Sequence, residues 1–319
     1  MLKYGIVGMN PGNGHPYSFA AVFNDFDNAA LQKNCEFALI KEYLPNHHRH
    51  QDFIADGRVT SIWAPEPGAA ERIAAAAKIP HIANSLAEMA ESVDAILFTR
   101  DDIENHWEMT SDLFNTGKPI FIDKILAHNE SDLRKFAAAI PADYPLMVGS
   151  SFAYTPLIDT VRESIKNSEV MFISGVSSCT WVRYAPHLLT AAAKLFGWDI
   201  VSVQNSGREN AETVTLQYRS GLTAIFNIYN GVGLPMGLTI HRRGEMPVEL
   251  PCTDATLENY FLSIVNSMQD FHTMCKTRVA ATPWQEVLQL NRLVLAGIAS
   301  REQGNVKIYM DEFLNDIQG

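Results

Sequence analysis

Short apolar runs alternate with helix-patterned stretches over the first 130 residues. Residues 3–7 form a β-prone run that ends at Gly8, and a helical pattern follows over 16–23. Residues 29–44 carry a second helical pattern. Residues 59–63 predict another strand, and the alanine-rich stretch 69–78 a helix. A short strand at 81–83 precedes a short helix over 85–90, with Ser85 placed to cap it. Residues 93–98 read as a strand and 105–115 as a helix closed by Gly117. Pro119 stops that helix from resuming, and Ile120, Phe121 and Ile122 make a buried strand. Strands alternating with helices in this way predict a Rossmann-like, doubly wound parallel sheet over residues 1–127.

The pattern then changes. Residues 146–156 read as a strand leading out of the first domain, 157–167 as an amphipathic helix and 170–179 as a strand. Further strands are predicted at 200–204, 213–218, 222–229, 238–241 and 248–250, with Ser220-Gly221 and Arg243-Gly244 marking turns. Val214, Leu216 and Tyr218 alternate, which gives one buried face. Helices are expected over 260–275 and 283–302, the latter with a broad apolar face of Leu288, Leu290, Leu293, Leu295 and Ile298. Residues 128–319 therefore predict an α+β domain with a large, mostly antiparallel sheet.

Composition narrows the possible partners. Of 319 residues, 47% are hydrophobic and 19% charged, enough to bury a sizeable core. The formal net charge is −11 and no basic run stands out, which argues against nucleic acid and anionic membranes. No signal peptide or bilayer-length apolar run is seen. Cys35, Cys179, Cys252 and Cys275 are scattered without metal-ligand spacing, as expected of reduced thiols in a cytoplasm.

Three stretches carry candidate chemistry. Strand, glycine-rich turn and helix meet at residues 8–15, where Gly8, Gly12, Gly14 and His15 frame a loop of the kind that cradles a pyrophosphate. Asn10 and Asn13 occupy the second and third glycine positions of that fingerprint, so a tight turn that binds nothing is an equal reading of the loop alone. The acid that would hold ribose hydroxyls at the end of the second strand is absent: Ala64 stands there, and Glu66 comes two residues later. This leaves NAD against NADP open. His47, His48 and His50 cluster, but no carboxylate or cysteine frames them, so no metal site is assigned. The third stretch is Asp123-Lys124, at the end of a strand, where open parallel sheets bind ligands.

Here the chain resembles the glucose–fructose oxidoreductase and inositol dehydrogenase family over nearly its whole length. The carriers are Val93-Asp94-Ala95-Ile96, His106 at a helix start, and Gly117-Lys118-Pro119-Ile120-Phe121-Ile122-Asp123-Lys124. The last matches the family's GK-x-hydrophobic-x-hydrophobic-E-K-P signature, with Asp123 for Glu and Ile125 for Pro. The resemblance implies an NAD or NADP cofactor along Gly8, Asn10, Gly12, Gly14 and His15, with Thr99, Arg100, His106 and Asp123 also on the cofactor. It implies that Lys124 touches substrate and nicotinamide ribose, and that His187 moves the substrate's hydroxyl proton. Thr190 stands where relatives carry a carboxylate. Tyr154, Trp181 and Tyr184 would line the substrate pocket, and the open face of the second sheet would form a homodimer. The implied activity is oxidation or reduction of a secondary hydroxyl or ketone on a sugar, polyol or similar small molecule. Two alternatives remain open: a regulatory relative that binds without turnover, and a lyase or isomerase that works through a transient ketone.

Overall fold

The computed structural model of the chain describes residues 1–49, 53–254 and 256–317. The chain runs β1 (Leu2–Val7), α1 (His15–Asn24), α2 (Asn28–Asn34), α3 (Ala38–His47), β2 (Gly57–Trp63), α4 (Ala69–Ala76), β3 (His81–Ile82), α5 (Leu86–Ser92), β4 (Ala95–Phe98), α6 (His106–Phe114), β5 (Ile120–Asp123), α7 (Glu130–Ala139) and β6 (Leu146–Gly149). It continues through α8 (Leu157–Ile165), β7 (Val170–Ser178), α9 (Trp181–Phe196), β8 (Ile200–Asn205), β9 (Ala211–Tyr218), β10 (Thr223–Tyr229), β11 (Gly237–Arg242), β12 (Val248–Pro251), α10 (Glu258–Thr277), α11 (Trp284–Glu302) and β13 (Ile308–Tyr309). Two compact units interleave along it. The first comprises Met1–Asp123, Ala139–Val148 and Ile264–Trp284; the second comprises Lys124–Ala138, Gly149–Ser263 and Gln285–Gly319.

The first unit is built on a six-stranded sheet in the order β3-β2-β1-β4-β5-β6. β1 pairs in parallel with β2 and β4, β2 with β3, and β4 with β5. Every residue of β4 and β5 is buried, as parallel strands covered on both faces require. Each of Phe98, Phe121 and Ile122 contributes about 1.5–3 kcal/mol through burial. The strand order reverses between β1 and β4, and this switch point opens a crevice at their C-terminal ends. Residues 8–15 and 99–105 lie there. The C-terminal half of α10 supplies Phe271, which packs on Tyr4 and Phe121.

One predicted helix divides in two. Residues 29–44 form α2 and α3, separated by extended backbone at Cys35 and Phe37. The break has a tertiary cause. It brings Phe37 and Ile40 onto Gly14 so closely that a Cβ there would lie 2.5 and 2.4 Å from their side chains. Only glycine fits, and α2–α3 thus cover the start of α1.

The second unit is built on a seven-stranded sheet in the order β12-β11-β7-β10-β9-β8-β13. Its registered pairs are antiparallel except β10 with β7. Val214, Leu216 and Tyr218 of β9 are buried while their neighbours are half-buried, as the alternation predicts. Helix α7 and the two-residue strand β13 were not legible as separate elements in the sequence pattern.

Candidate active site

The second unit assembles a polar cluster from three chain segments. Lys124 sits just past β5 with φ +75°, a left-handed backbone that costs a residue with a side chain on the order of 1–2 kcal/mol. Its amide donates to Gly149 O at 3.0 Å, at the end of β6. Its ammonium lies 5.1 Å from the centre of the Tyr184 ring, within cation–π range. Tyr184 packs edge-on against His187, ring centres 5.1 Å apart, on the first turns of α9. His187 Nδ1 shares a 2.5 Å hydrogen bond with Ser150 Oγ. Ser150 also caps the following 3-10 turn, accepting from Phe152 N. The two residues at the end of β6, Gly149 and Ser150, thus hold Lys124 by its backbone and His187 by its ring.

Sequence reasoning missed two members of this arrangement. One is Ser150. The other is Asn291 on α11, whose Oδ1 accepts from the amides of Leu126 and Ala127, both at 3.1 Å. Its Nδ2 donates to Val287 O in its own helix. The available signal was an asparagine set within the apolar face of α11. Thr190 does not take over the role of a carboxylate: its hydroxyl donates to Pro186 O at 2.7 Å and stays within α9. The two other pocket candidates separate. Tyr154 is half-buried beneath the Lys194 ammonium, 5.1 Å from its ring centre. Trp181, expected in a pocket wall, is enclosed: its Nε1 donates to Val294 O and its indole rests on Gly297.

In the first unit the loop 8–15 is braced by the asparagines that replace its glycines. Asn10 and Asp101 exchange hydrogen bonds, Nδ2 to Oδ1 at 2.7 Å and Asp101 N to Asn10 Oδ1 at 2.9 Å. Asn13 donates to Thr99 O and to Asp123 Oδ2, and its Oδ1 accepts the His15 amide at 2.8 Å. His15 Nδ1 meets the buried Asp123 carboxylate at 2.6 Å, and its ring stacks on Phe19. This places Asn10, Asn13, His15, Thr99 and Asp123 at one strand edge.

Arg100 and His106 are placed differently. Arg100 is buried at the end of β4, where Nε and Nη2 clasp Asp102 and Nη1 donates to Glu66 and to Met9 O. Burial works against its charge, and the two carboxylates more than offset this, so the guanidinium is held above the ordinary arginine range. Burial likewise opposes ionisation of Asp102, but hydrogen bonds from Arg100 and Asn105 win and hold it below the usual carboxylate range. His106 is fully enclosed, edge-on to Phe98, with Nε2 at 3.2 Å from Arg100 O.

The loop retains part of what a dinucleotide requires. Pro11 and Pro16 have no amide hydrogen, and the amides of Asn13, His15 and Tyr17 are engaged internally. Gly12 is exposed with φ +86°, and its amide and that of Gly14 find no acceptor among the described residues. Of these two glycines only Gly12 is exposed; Gly14 is buried against Phe37 and Ile40. Among the described residues no three His, Cys, Asp or Glu could hold a metal. His48 instead bonds Ala21 O, and His50 lies outside the described residues. No helix among the described residues is long and apolar enough to cross a membrane.

No protein-family model matches the chain. YceM of Salmonella typhimurium, an oxidoreductase by designation only, is 35% identical over 96 residues, which is 30% of this chain and 31% of YceM. The match thus spans about a third of that relative. Among solved structures, myo-inositol 2-dehydrogenase from Lactobacillus plantarum superposes with a TM-score of 0.72 at 13% identity, covering 97% of this chain and 99% of that one. Scyllo-inositol dehydrogenase from Lactobacillus casei, solved with NAD(H) and scyllo-inositol, gives 0.70 at 12% identity with the same coverage. The chain has the fold of these inositol dehydrogenases.

Proposed function

We propose that the chain is an NAD(P)-dependent oxidoreductase that interconverts a secondary hydroxyl and a ketone on a sugar, polyol or similar small polar molecule. The observation that carries this reading is the Lys124–Tyr184–His187–Ser150 cluster of the second unit. Oxidising a secondary alcohol removes a hydroxyl proton and a hydride. A nicotinamide, when bound, supplies the hydride acceptor. The chain's own residues handle the proton. In this reading Ser150 holds the His187 ring through Nδ1, and His187 moves the substrate's proton. The Lys124 ammonium stabilises negative charge developing on the substrate oxygen. In the first unit, the exposed Gly12 amide would take a phosphate oxygen, and His15, held by Asp123, would meet a ribose hydroxyl.

Titration with NADH and NADPH, followed by nucleotide fluorescence or calorimetry, tests the cofactor. Turnover across a panel of sugars and polyols tests the reaction. Failure of both nucleotides to bind at millimolar concentration would sink the reading. A second reading, a regulatory relative that binds without turnover, draws support from the internally saturated start of α1 and from Thr190; binding with no turnover across the panel would favour it. The face of the second unit's sheet that carries exposed Phe172 and half-buried Ser174, Ile225 and Tyr229, with Phe172 opposite Thr223 and Ser174 opposite Ile225, is proposed as the contact with a second copy. A monomeric mass by light scattering would remove that proposal.

A further inference from the structure

The buried arginine at the end of β4 is more than a brace. Its guanidinium reaches three strand ends at once: Met9 O beyond β1 at 3.1 Å, Glu66 beyond β2 at 2.8 Å, and Asp102 beyond β4 at 2.6 and 2.9 Å. Because one nitrogen, Nη1, serves both Met9 and Glu66, the Glu66 carboxylate is held beside the phosphate-cradling loop. Glu66 lies two residues past the position where a dinucleotide fold expects its ribose acid, and the arginine ties it to the Met9 side of the loop. Its side chain remains 30% exposed, whereas Arg100 and Asp102 are 5% and 8% exposed. The cluster holds two carboxylates against one guanidinium, and only the acid of Glu66 is presented to solvent.

We propose that this Glu66–Arg100–Asp102 cluster makes the chain selective for NAD over NADP. The inference rests on the oxidoreductase reading above and adds to it the identity of the nucleotide. In dinucleotide folds an acid at this edge accepts the ribose hydroxyls, whereas a nearby arginine receives the 2′-phosphate of NADP. Both residue types are present here, so sequence alone leaves the choice open. The structure decides it by occupancy. Arg100 spends its donors on two carboxylates and a carbonyl, and turning it toward a phosphate would leave Asp102 buried without its partner. A 2′-phosphate would meet the Glu66 carboxylate, with like charges in contact. The competing cation is Arg72 on α4. Its Nη1 lies 3.1 Å from the Cβ position of Gly68, and its guanidinium also acts on Tyr17.

The test compares dissociation constants for NADH and NADPH, and for ADP and 2′,5′-ADP, in the wild-type chain, E66Q and R72A. The nucleoside diphosphates read the adenosine end without any turnover. The wild type is expected to bind NADH and ADP at least tenfold more tightly than their 2′-phosphorylated counterparts. E66Q is expected to narrow both ratios about tenfold, while R72A leaves them unchanged. Equal or tighter binding of NADPH by the wild type, or ratios unmoved in a folded E66Q, would overturn the selectivity while leaving the oxidoreductase reading intact. NADPH preference abolished by R72A would overturn it in favour of Arg72. Absence of binding by either dinucleotide would overturn both readings together. The wild-type ratios require no substitution, so the proposal stays testable even where E66Q fails to fold.

Discussion

Ser150 Oγ and His187 Nδ1 lie 2.5 Å apart, joining the end of β6 to the first turns of α9. The imidazole is thereby held by a hydroxyl at Nδ1. A carboxylate would raise the histidine's affinity for a proton; a serine fixes geometry without adding charge. We expect S150A to lower kcat roughly tenfold to hundredfold, a fraction of what general acid–base catalysis contributes. KM should change little, while S150T restores kcat. The fold should lose only about 1 kcal/mol, the worth of one hydrogen bond. An unchanged kcat in S150A would mean the bond is structural only.

Asn291 holds the chain that follows Lys124. Leu126 and Ala127 are fully buried, and their amides have the Asn291 carbonyl oxygen as acceptor. Replacing it with leucine strands two buried donors, each costing about 1–3 kcal/mol. N291L should therefore lose on the order of 2–6 kcal/mol in urea denaturation. N291D keeps an acceptor but sets a buried carboxylate oxygen against Val287 O, so its loss relative to the wild type should shrink as the acid protonates at lower pH. A loss in N291D that does not change with pH would show that the acceptor is not what matters.

The left-handed backbone of Lys124 sets stability against function. At φ +75° glycine is relaxed and alanine is not. K124G should be more stable than K124A by about 1 kcal/mol in equilibrium unfolding, and both should be inactive, because the ammonium over Tyr184 is gone. A K124G chain that retained turnover would remove Lys124 from the reaction.

The first unit carries a pH dependence of its own. His272 on α10 shares hydrogen bonds with the Tyr4 hydroxyl at 2.6 Å and with Asp56 at 2.8 Å. Burial lowers its pKa and prevails over the opposing pull of Asp56. The unfolded chain, with histidine near 6.5, then binds more protons than the folded one in the window below that value. Stability is complete above about pH 6.5 and falls as the pH drops through the depressed folded value. Melting temperatures measured from pH 7.5 down to 5 should show this decline, and H272N should flatten it. A decline of the same slope in H272N would assign it to other groups.

Much of the architecture follows from periodicity alone. The runs at 93–98 and 120–122 read as strands, and β4 (Ala95–Phe98) and β5 are indeed buried throughout; the alternation at Val214, Leu216 and Tyr218 predicted the one buried face that β9 shows. Ser85 marks its helix start as expected, with Oγ accepting from Glu88 N. The strand end at Lys124 and the helix start at His187 are visible in a linear chain, but it was the family resemblance, not the local signals, that singled these two residues out.

What the linear chain did not contain is which side chains complete one another. The break between α2 and α3 depends on Gly14, more than twenty residues earlier. Asn10 and Asn13 looked like defects in a glycine fingerprint, yet they are cross-braces to Asp101, Thr99 and Asp123. Arg100 and Trp181, read from sequence as ligand contacts, spend their donors within the protein because burial demands partners for every polar group. The sequence by itself determined the elements and the residue types at the strand ends, since periodicity and turn chemistry are local. Only the tertiary structure decided that Ser150 serves His187 and that Asn291 serves the chain after Lys124. Hydrogen bonds between residues 37 or 165 positions apart leave no periodic trace.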